Sequence, residues 1–431
     1  ADIIYPLVWL EVGCLAPGVA VGMLGLGVIG GGVLQALTTK AELIAARCGQ
    51  PVHLKKALVR DVGKSRGLAV PSGLLTADPE EVLADPSIGV VVEVLGGERP
   101  AFDYAKRALA EGKHLVTANK EMMGKHGSEL LSLAGERGRE VGFEASVGGG
   151  VPIIAALRRS LVANEIVGVQ GIVNGTTNYI LTEMAEQGRD FALALREAQE
   201  LGYAEPDPTN DVEGYDSRYK LAILCALAFG AWPRVETIPC EGIVNLSPTD
   251  FRLAADMGYA IKLLAVGRRT AAGLEARVGP TLVPAGGMLG GVKGVFNAVQ
   301  VQGDMVGDML FYGRGAGPAP TASAVLADLI GVIRGETSPV SPAGAQAALA
   351  PAAEVAGRFY LRLEIEDRTA AEAAVEHLAG LGVDVVVRRS ADGNLAFLTG
   401  QAKQAALQRG ARDLASLTQI RRVATLLNVI D

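Results

Sequence analysis

Val19-Ala-Val-Gly-Met-Leu24, followed at once by Gly25-Leu-Gly27-Val-Ile-Gly30-Gly-Gly-Val-Leu34, decides the fold. The first six residues read as a buried strand, and the spacing predicts a helix over Gly31 to Arg47. Three glycines at GxGxxG spacing join the two. Gly25 permits the tight turn, Gly27 lets a phosphate approach the backbone, and Gly30 lets helix and strand pack closely. The helix N-terminus then supplies amide donors and a favourable dipole. In this strand–turn–helix context the motif indicates a dinucleotide site; a structural Gly-rich turn is the alternative.

Downstream, Leu54–Val59, Val90–Leu95 and His114–Thr117 read as further strands, with helices over Ala101–Glu111 and Glu129–Arg137. Val90–Leu95 is a continuous apolar run apart from Glu93, the pattern of a strand buried on both faces. Strand–helix alternation of this kind predicts a doubly wound parallel sheet over residues 19–145, a Rossmann domain. The second strand runs into Arg60, with Lys64 and Arg66 nearby, which suits the 2′-phosphate of NADP. Asp61 keeps NAD open, and a solvated basic loop is the alternative. The third strand runs into Leu95-Gly96-Gly97 and the fourth into Thr117-Ala-Asn119-Lys120. Ligands bind at the carboxyl ends of such strands, so Gly96 and Lys120 point toward a site.

Residues 146–315 read as a mixed α/β domain with an antiparallel sheet. Helices are expected over Pro152–Leu161, Asn178–Glu186, Phe191–Leu201 and Tyr215–Phe229, and β-rich runs over Val167–Val173, Ile238–Asn245, Ala276–Val283 and Ala298–Gln302. A helix over Ala319–Arg334 packs back on the first domain. Residues 335–357, rich in Ala, Pro, Ser and Gly, read as a linker. Residues 358–431 alternate in βαββαβ order, predicting a ferredoxin-like module. Residues 1–18 are an apolar extension without a basic leader region.

Composition narrows the function. The 431 residues carry a net charge of −7, which argues against nucleic acid or an anionic membrane as the main partner. No stretch has the ~18 uncharged apolar residues of a membrane helix. Cys14, Cys48, Cys225 and Cys240 lack CxxC or zinc spacing, so reduced thiols and a cytoplasmic location are expected.

The most informative block is residues 202–220, GYAEPDPTNDVEGYDSRYK, with five carboxylates ahead of an apolar helix. Asp216 and Lys220 stand at i and i+4, on one helix face. A lysine with a carboxylate neighbour at the mouth of a core helix can act as general acid, and Glu205 or Asp207 can receive an ammonium group. The alternative is a surface ion pair. Two polar turns, Glu144-Ala-Ser-Val147-Gly-Gly149-Gly-Val151-Pro152 and Asn174-Gly-Thr-Thr177-Asn178, lie in apolar surroundings. Glu144 and exposed carbonyls of the first suit a hard cation, an ordinary loop being the alternative.

Taken in order, GLGVIGGGV, VTANKE, EASVGGGVPI, GIVNGTTNYIL, LGYAEPDPTNDVEGYDSRYK and GRGAGPAPTASAVLADL resemble homoserine dehydrogenases over residues 20–334. The family interconverts L-homoserine and L-aspartate 4-semialdehyde with NAD(P). The resemblance implies that Lys220 donates the proton to the aldehyde oxygen. It implies that Asp216 and Glu205 hold the amino acid and that Lys120 sits at cofactor and substrate. Leu26, Val28, Ile29, Arg60, Gly202, Glu205 and Gly315 match cofactor contacts. Glu144 with the carbonyls of Val147, Gly149 and Val151 matches a site for a monovalent cation such as Na+. It also implies a homodimer or homotetramer. The tail resembles an ACT domain, which implies L-threonine as an effector. Its first loop, Glu366-Asp367-Arg368-Thr369-Ala370, departs from the family by lacking Pro-Gly after Asp-Arg. No aspartate-kinase half is present in this sequence, so a monofunctional form is expected. The competing readings are another NAD(P)-linked amino-acid dehydrogenase and a non-catalytic sensor.

Overall fold

A computed structural model describes residues 18–336, 348–367 and 369–430. Residues 1–17 of the expected extension, with Cys14, residues 337–347 of the linker, Arg368 and Asp431 lie outside the described residues. The first region runs β1 (Val19–Leu24), α1 (Val28–Thr39), α2 (Ala41–Cys48), β2 (Val52–Leu58), β3 (Leu75–Thr76), α3 (Glu80–Leu83), β4 (Ile88–Glu93), α4 (Ala101–Ala110), β5 (His114–Thr117), α5 (Lys120–Glu136) and β6 (Val141–Gly142). Its sheet is parallel in the order β3-β2-β1-β4-β5-β6, a Rossmann arrangement that reverses direction beside β1. Val21, Met23, Val91 and Val92 are fully buried because helices cover both faces.

The second region contains α6 (Ile153–Ala155), β7 (Ile166–Ile172), α7 (Gly175–Gln187), α8 (Phe191–Glu200), α9 (Thr209–Val212), α10 (Tyr215–Phe229), α11 (Pro248–Asp256), β8 (Tyr259–Thr270), β9 (Gly273–Pro284), β10 (Phe296–Gly303) and β11 (Gly307–Arg314). The strands form an antiparallel run, β11-β10-β7-β8-β9. Helix α10 crosses it as a core helix, with Leu221 to Cys225 all fully buried. Helix α12 (Pro318–Ile333) returns to the first region, where Ala322, Val325 and Leu329 join the apolar cluster of β1 and α1.

The tail runs β12 (Ala356–Ile365), α13 (Ala370–Gly380), β13 (Val385–Ala391), β14 (Asn394–Thr399), β15 (Ala402–Lys403), α14 (Gln404–Leu414) and β16 (Ile420–Val429). Its main strands lie in the order β16-β12-β14-β13, the split βαβ expected of a ferredoxin-like unit. The tail shares its sheet with the second region. β16 pairs in parallel with β9, Asn428 against Thr281 and Val429 against Leu282. Arg362 of β12 reaches Asp250 of α11, both almost wholly buried.

Several boundaries differ from the sequence reading. The expected helix over Gly31–Arg47 starts at Val28 and breaks at Lys40, whose φ of −121° and ψ of 23° leave the helical region. The helix expected over Glu129–Arg137 is the end of α5, which begins at Lys120 because Asn119 caps it. Ile238–Asn245 is not a strand: only Cys240 bridges to Val278, since Pro239 has no N–H to offer a ladder and Gly242 packs in a turn against Val212.

Candidate functional site

The Gly-rich turn has the geometry its residue types require. Gly25 adopts a φ of +100°, and a side-chain carbon there would stand 2.9 Å from the Val94 carbonyl. At Gly30 such a carbon would stand 2.4 Å from the Gly25 carbonyl, so only glycine fits. Gly27, by contrast, faces open space. It occupies the N-cap of α1 and contributes no side-chain cap, so the first-turn amides face outward without a protein side-chain partner. This is the cradle a pyrophosphate requires. Leu26 is buried beneath it, Ile29 is half-buried and Val28 is exposed. Arg60 lies exposed just past β2, while Arg66 folds its guanidinium onto the carbonyls of Lys64 and Asp61 and shapes that loop. Gly96 and Gly97, with φ of +75° and +71°, follow β4 at the same edge of the sheet.

Beside this edge lies a cluster of charges. Asp216 sits in the first turn of α10 and is fully buried. Lys220, one turn on, donates to Asp216 Oδ2 at 2.6 Å and to the Val173 carbonyl at 2.6 Å. Lys120, the first residue of α5, places its Nζ 2.5 Å from Asp216 Oδ1. One carboxylate therefore holds two lysines from different regions of the chain. Asn174, the N-cap of α7, donates through Nδ2 to Asp216 Oδ2 at 2.9 Å and to Asp211 Oδ1 at 2.7 Å. Its own Oδ1 accepts from the Thr177 amide.

The electrostatics follow from this packing. The two lysines hold the Asp216 carboxyl well below the usual carboxylate range, despite its burial. Burial lowers the proton affinity of Lys220; Asp216 opposes this and the Lys120 charge adds to it. Lys120 is shifted upward, chiefly by Asp216. Asp211 is shifted upward by burial and by the Asp216 charge. The side chain of Lys120 remains about half exposed, at 47%, so the cluster opens on that side. Lys220 is thus a buried ammonium held in place yet inclined to release its proton, the property of a general acid.

The structure brings Lys120, Asp216 and Lys220 together. Glu205 is exposed, close enough for its charge to favour the protonated form of Lys120. Gly202 takes a φ of +74° in the turn after α8. Gly315 packs against Gly149 and Asn297: a side-chain carbon on Gly315 would stand 2.0 Å from the Asn297 amide. It therefore lies beside the Glu144–Val151 turn. In that turn the Glu144 carboxylate accepts from the amides of Ile154 and Ala155, capping α6. The Val151 carbonyl accepts from Ile153, whereas those of Val147 and Gly149 accept no hydrogen bond among the described residues. The donor set left for a cation is carbonyl oxygen, which suits a hard monovalent ion. Among the described residues no group of three or more acidic, His or Cys side chains converges on a metal position.

Sequence reasoning assigned no role to Asn174, Asp211 or the Val173 carbonyl. Asn174 followed by Gly-Thr-Thr177 carries an N-cap signal, but nothing in it announces that its amide bridges two distant carboxylates.

Comparisons with known proteins identify the family. Residues 25–144 match the family model described as the NAD-binding domain of homoserine dehydrogenase, and residues 152–330 match the one described as homoserine dehydrogenase. A homoserine dehydrogenase of Neisseria gonorrhoeae is 44% identical over 359 residues, 81% of this chain and 82% of the relative. A crystal structure of a homoserine dehydrogenase from Thiobacillus denitrificans superposes with a TM-score of 0.91 at 40% identity, covering 96% of this chain and 98% of its own. A hyperthermophilic archaeal homoserine dehydrogenase in complex with NADPH superposes with a TM-score of 0.64 at 26% identity, covering 75% of this chain and 99% of its own. By motif order, sheet topology and overall similarity, the chain belongs to the homoserine dehydrogenases, oxidoreductases dependent on a nicotinamide cofactor.

Proposed function

We propose that Asp216, Lys120 and Lys220 form the reaction centre for interconverting L-homoserine and L-aspartate 4-semialdehyde, a step toward threonine, methionine and isoleucine. The observation that carries this reading is the single buried carboxylate bridging two lysines at the open edge of the cofactor-binding sheet. In reduction Lys220 gives its proton to the aldehyde oxygen. Asp216 keeps Lys220 oriented, and burial beside Lys120 makes the proton easier to release. Glu205, with Asp216, anchors the α-ammonium of the amino acid. Fixing the reacting groups in this way lowers the barrier by positioning. Oxidation runs the same proton transfer backward. When bound, the nicotinamide supplies or accepts the hydride.

Gly25, Leu26, Gly27, Val28, Ile29 and Gly30 would hold the pyrophosphate, with Gly96, Lys120, Gly202, Glu205 and Gly315 along the rest of the cofactor. Arg60 supports NADP as the preferred form, with NAD accepted. The free carbonyls of Val147 and Gly149, with Glu144 and Val151, support a monovalent cation such as Na+. Residues 19–145 with 316–334 would act as the cofactor domain, 146–315 as the substrate and dimerisation domain, and 358–431 as an ACT-like regulatory domain. A homodimer or homotetramer in the cytoplasm completes the reading. Among the described residues no helix is long and apolar enough to cross a membrane. For the tail, L-threonine is the effector to test. In the departing loop, Asp367 Oδ1 accepts from the Thr369 amide and hydroxyl, an internal turn in place of Pro-Gly.

The direct test replaces Lys220 by Ala. Turnover of homoserine should be lost while binding of NADPH, followed by its fluorescence, persists. Near-normal turnover would remove Lys220 from its role.

A further inference from the structure

Glu93 closes β4 at the point where the sheet reverses, and its side chain is fully buried. Its neighbours are donors. Oε1 accepts from the Leu95 amide at 2.8 Å and, more distantly, from Asn119 Nδ2 at 3.5 Å. Oε2 accepts from the Thr117 hydroxyl at 2.5 Å. The same hydroxyl oxygen accepts from the Asn119 amide at 3.0 Å, so Thr117 links Glu93 to the start of α5. No Lys, Arg or His pairs with the carboxyl among the described residues. A buried carboxyl without a cation is costly, and an apolar residue would complete this strand more cheaply.

The bonds radiating from Glu93 lead to two parts of the site. One is the loop Leu95-Gly96-Gly97, whose glycines both take positive φ. The other is Asn119, which donates through Nδ2 to the Gly97 carbonyl at 2.7 Å and caps α5 by accepting from Met122. The next residue is Lys120, whose ammonium meets Asp216. The loop along the cofactor cradle and the helix start that presents Lys120 are therefore tied to the same buried carboxyl.

We infer that Glu93 is a positioning residue that, with Thr117 and Asn119, locks the Leu95–Gly97 cofactor loop to the N-terminus of α5 and so sets Lys120 against Asp216. This rests on the proposed cofactor and lysine roles. Loss of the lock lets the loop and Lys120 move independently. Misplacement on the scale of 1 Å at a reaction centre costs on the order of 100-fold in rate.

The test uses the full-length protein and four variants: Glu93→Gln, Thr117→Val, Thr117→Ser, and the Glu93→Gln/Thr117→Val double substitution. Two quantities are read: kcat with saturating homoserine, and the Kd for NADPH from fluorescence with no amino acid present. Glu93→Gln and Thr117→Val should each lower kcat by about 10- to 100-fold and weaken NADPH about threefold or more. Thr117→Ser keeps the hydroxyl and should stay near the parent. The double variant should be no worse than the poorer single one, because both break the same link. The inference is overturned if Glu93→Gln and Thr117→Val both stay within a factor of ~2 of the parent, or if their effects multiply. Should Glu93→Gln fail to fold, the contrast between Thr117→Val and Thr117→Ser decides by the same criteria. A parent protein that binds no NADPH would instead overturn the cofactor reading beneath it.

Discussion

Replacing Asp216 by Asn isolates what the central carboxylate does to Lys220. The amide keeps the shape and can still accept a hydrogen bond, but the charge between the two lysines disappears. Two opposite unit charges ~4 Å apart attract by about 4 kcal/mol in an effective dielectric near 20. The Lys220 and Asp216 atoms are in contact at 2.6 Å, so the loss is of at least that order before relaxation. Reorientation of the exposed Lys120 and entry of water recover part of it. If half survives, about 2 kcal/mol is removed from the ammonium form of Lys220, more than one pH unit at 1.36 kcal/mol per unit. The sign is fixed: without the anion Lys220 gives up its proton more readily. In reduction, Lys220 must be protonated, so the alkaline limb of the kcat profile should move to lower pH by more than ~1 unit. In oxidation, where it must be neutral, the acid limb should move the same way. Initial rates of NADPH consumption and formation from about pH 5.5 to about pH 10 read both limbs. A folded Asp216→Asn variant whose limbs stay put, or move to higher pH, would refute the assigned coupling.

Other consequences can be checked separately. Gly27→Ala places a methyl in open space at the helix start, so melting temperature should hold while NADPH affinity falls about tenfold or more. Gly30→Ala puts its methyl 2.4 Å from the Gly25 carbonyl and should cost stability as well, about 1–3 kcal/mol in urea unfolding. Arg362→Leu strands the buried Asp250 carboxylate, which Arg362 contacts through Nε and Nη2, and should destabilise by about 3–5 kcal/mol. Adding Asp250→Leu should return much of that loss, a recovery that urea unfolding of the double variant would detect.

Much of the fold is legible in the sequence for physical reasons. The turn at Gly25–Gly30 is announced by glycines whose absent side chains the close contacts demand. The apolar run that opens at Val90 and the i, i+4 pair Asp216–Lys220 are local patterns, so they too can be read directly. What is not legible is long-range. Nothing near Lys120 or Asp216 tells that they meet, and Asn174 reads as part of a polar turn until Asp211 and Asp216 are placed beside its amide. Glu93 reads as one polar residue within an apolar strand. The tail presents its own βαββαβ pattern, while its parallel pairing with β9 and the Arg362–Asp250 contact depend on tertiary placement. The start of α5 at Lys120 is legible in part, because Asn119 is a strong cap residue.

The most direct measurement is absorbance in the reduced-nicotinamide band, with purified full-length protein, L-homoserine, and NADP or NAD in parallel, with and without L-threonine. The account predicts homoserine-dependent reduction, faster with NADP than with NAD. Folded protein that reduces neither cofactor in the presence of homoserine would contradict it.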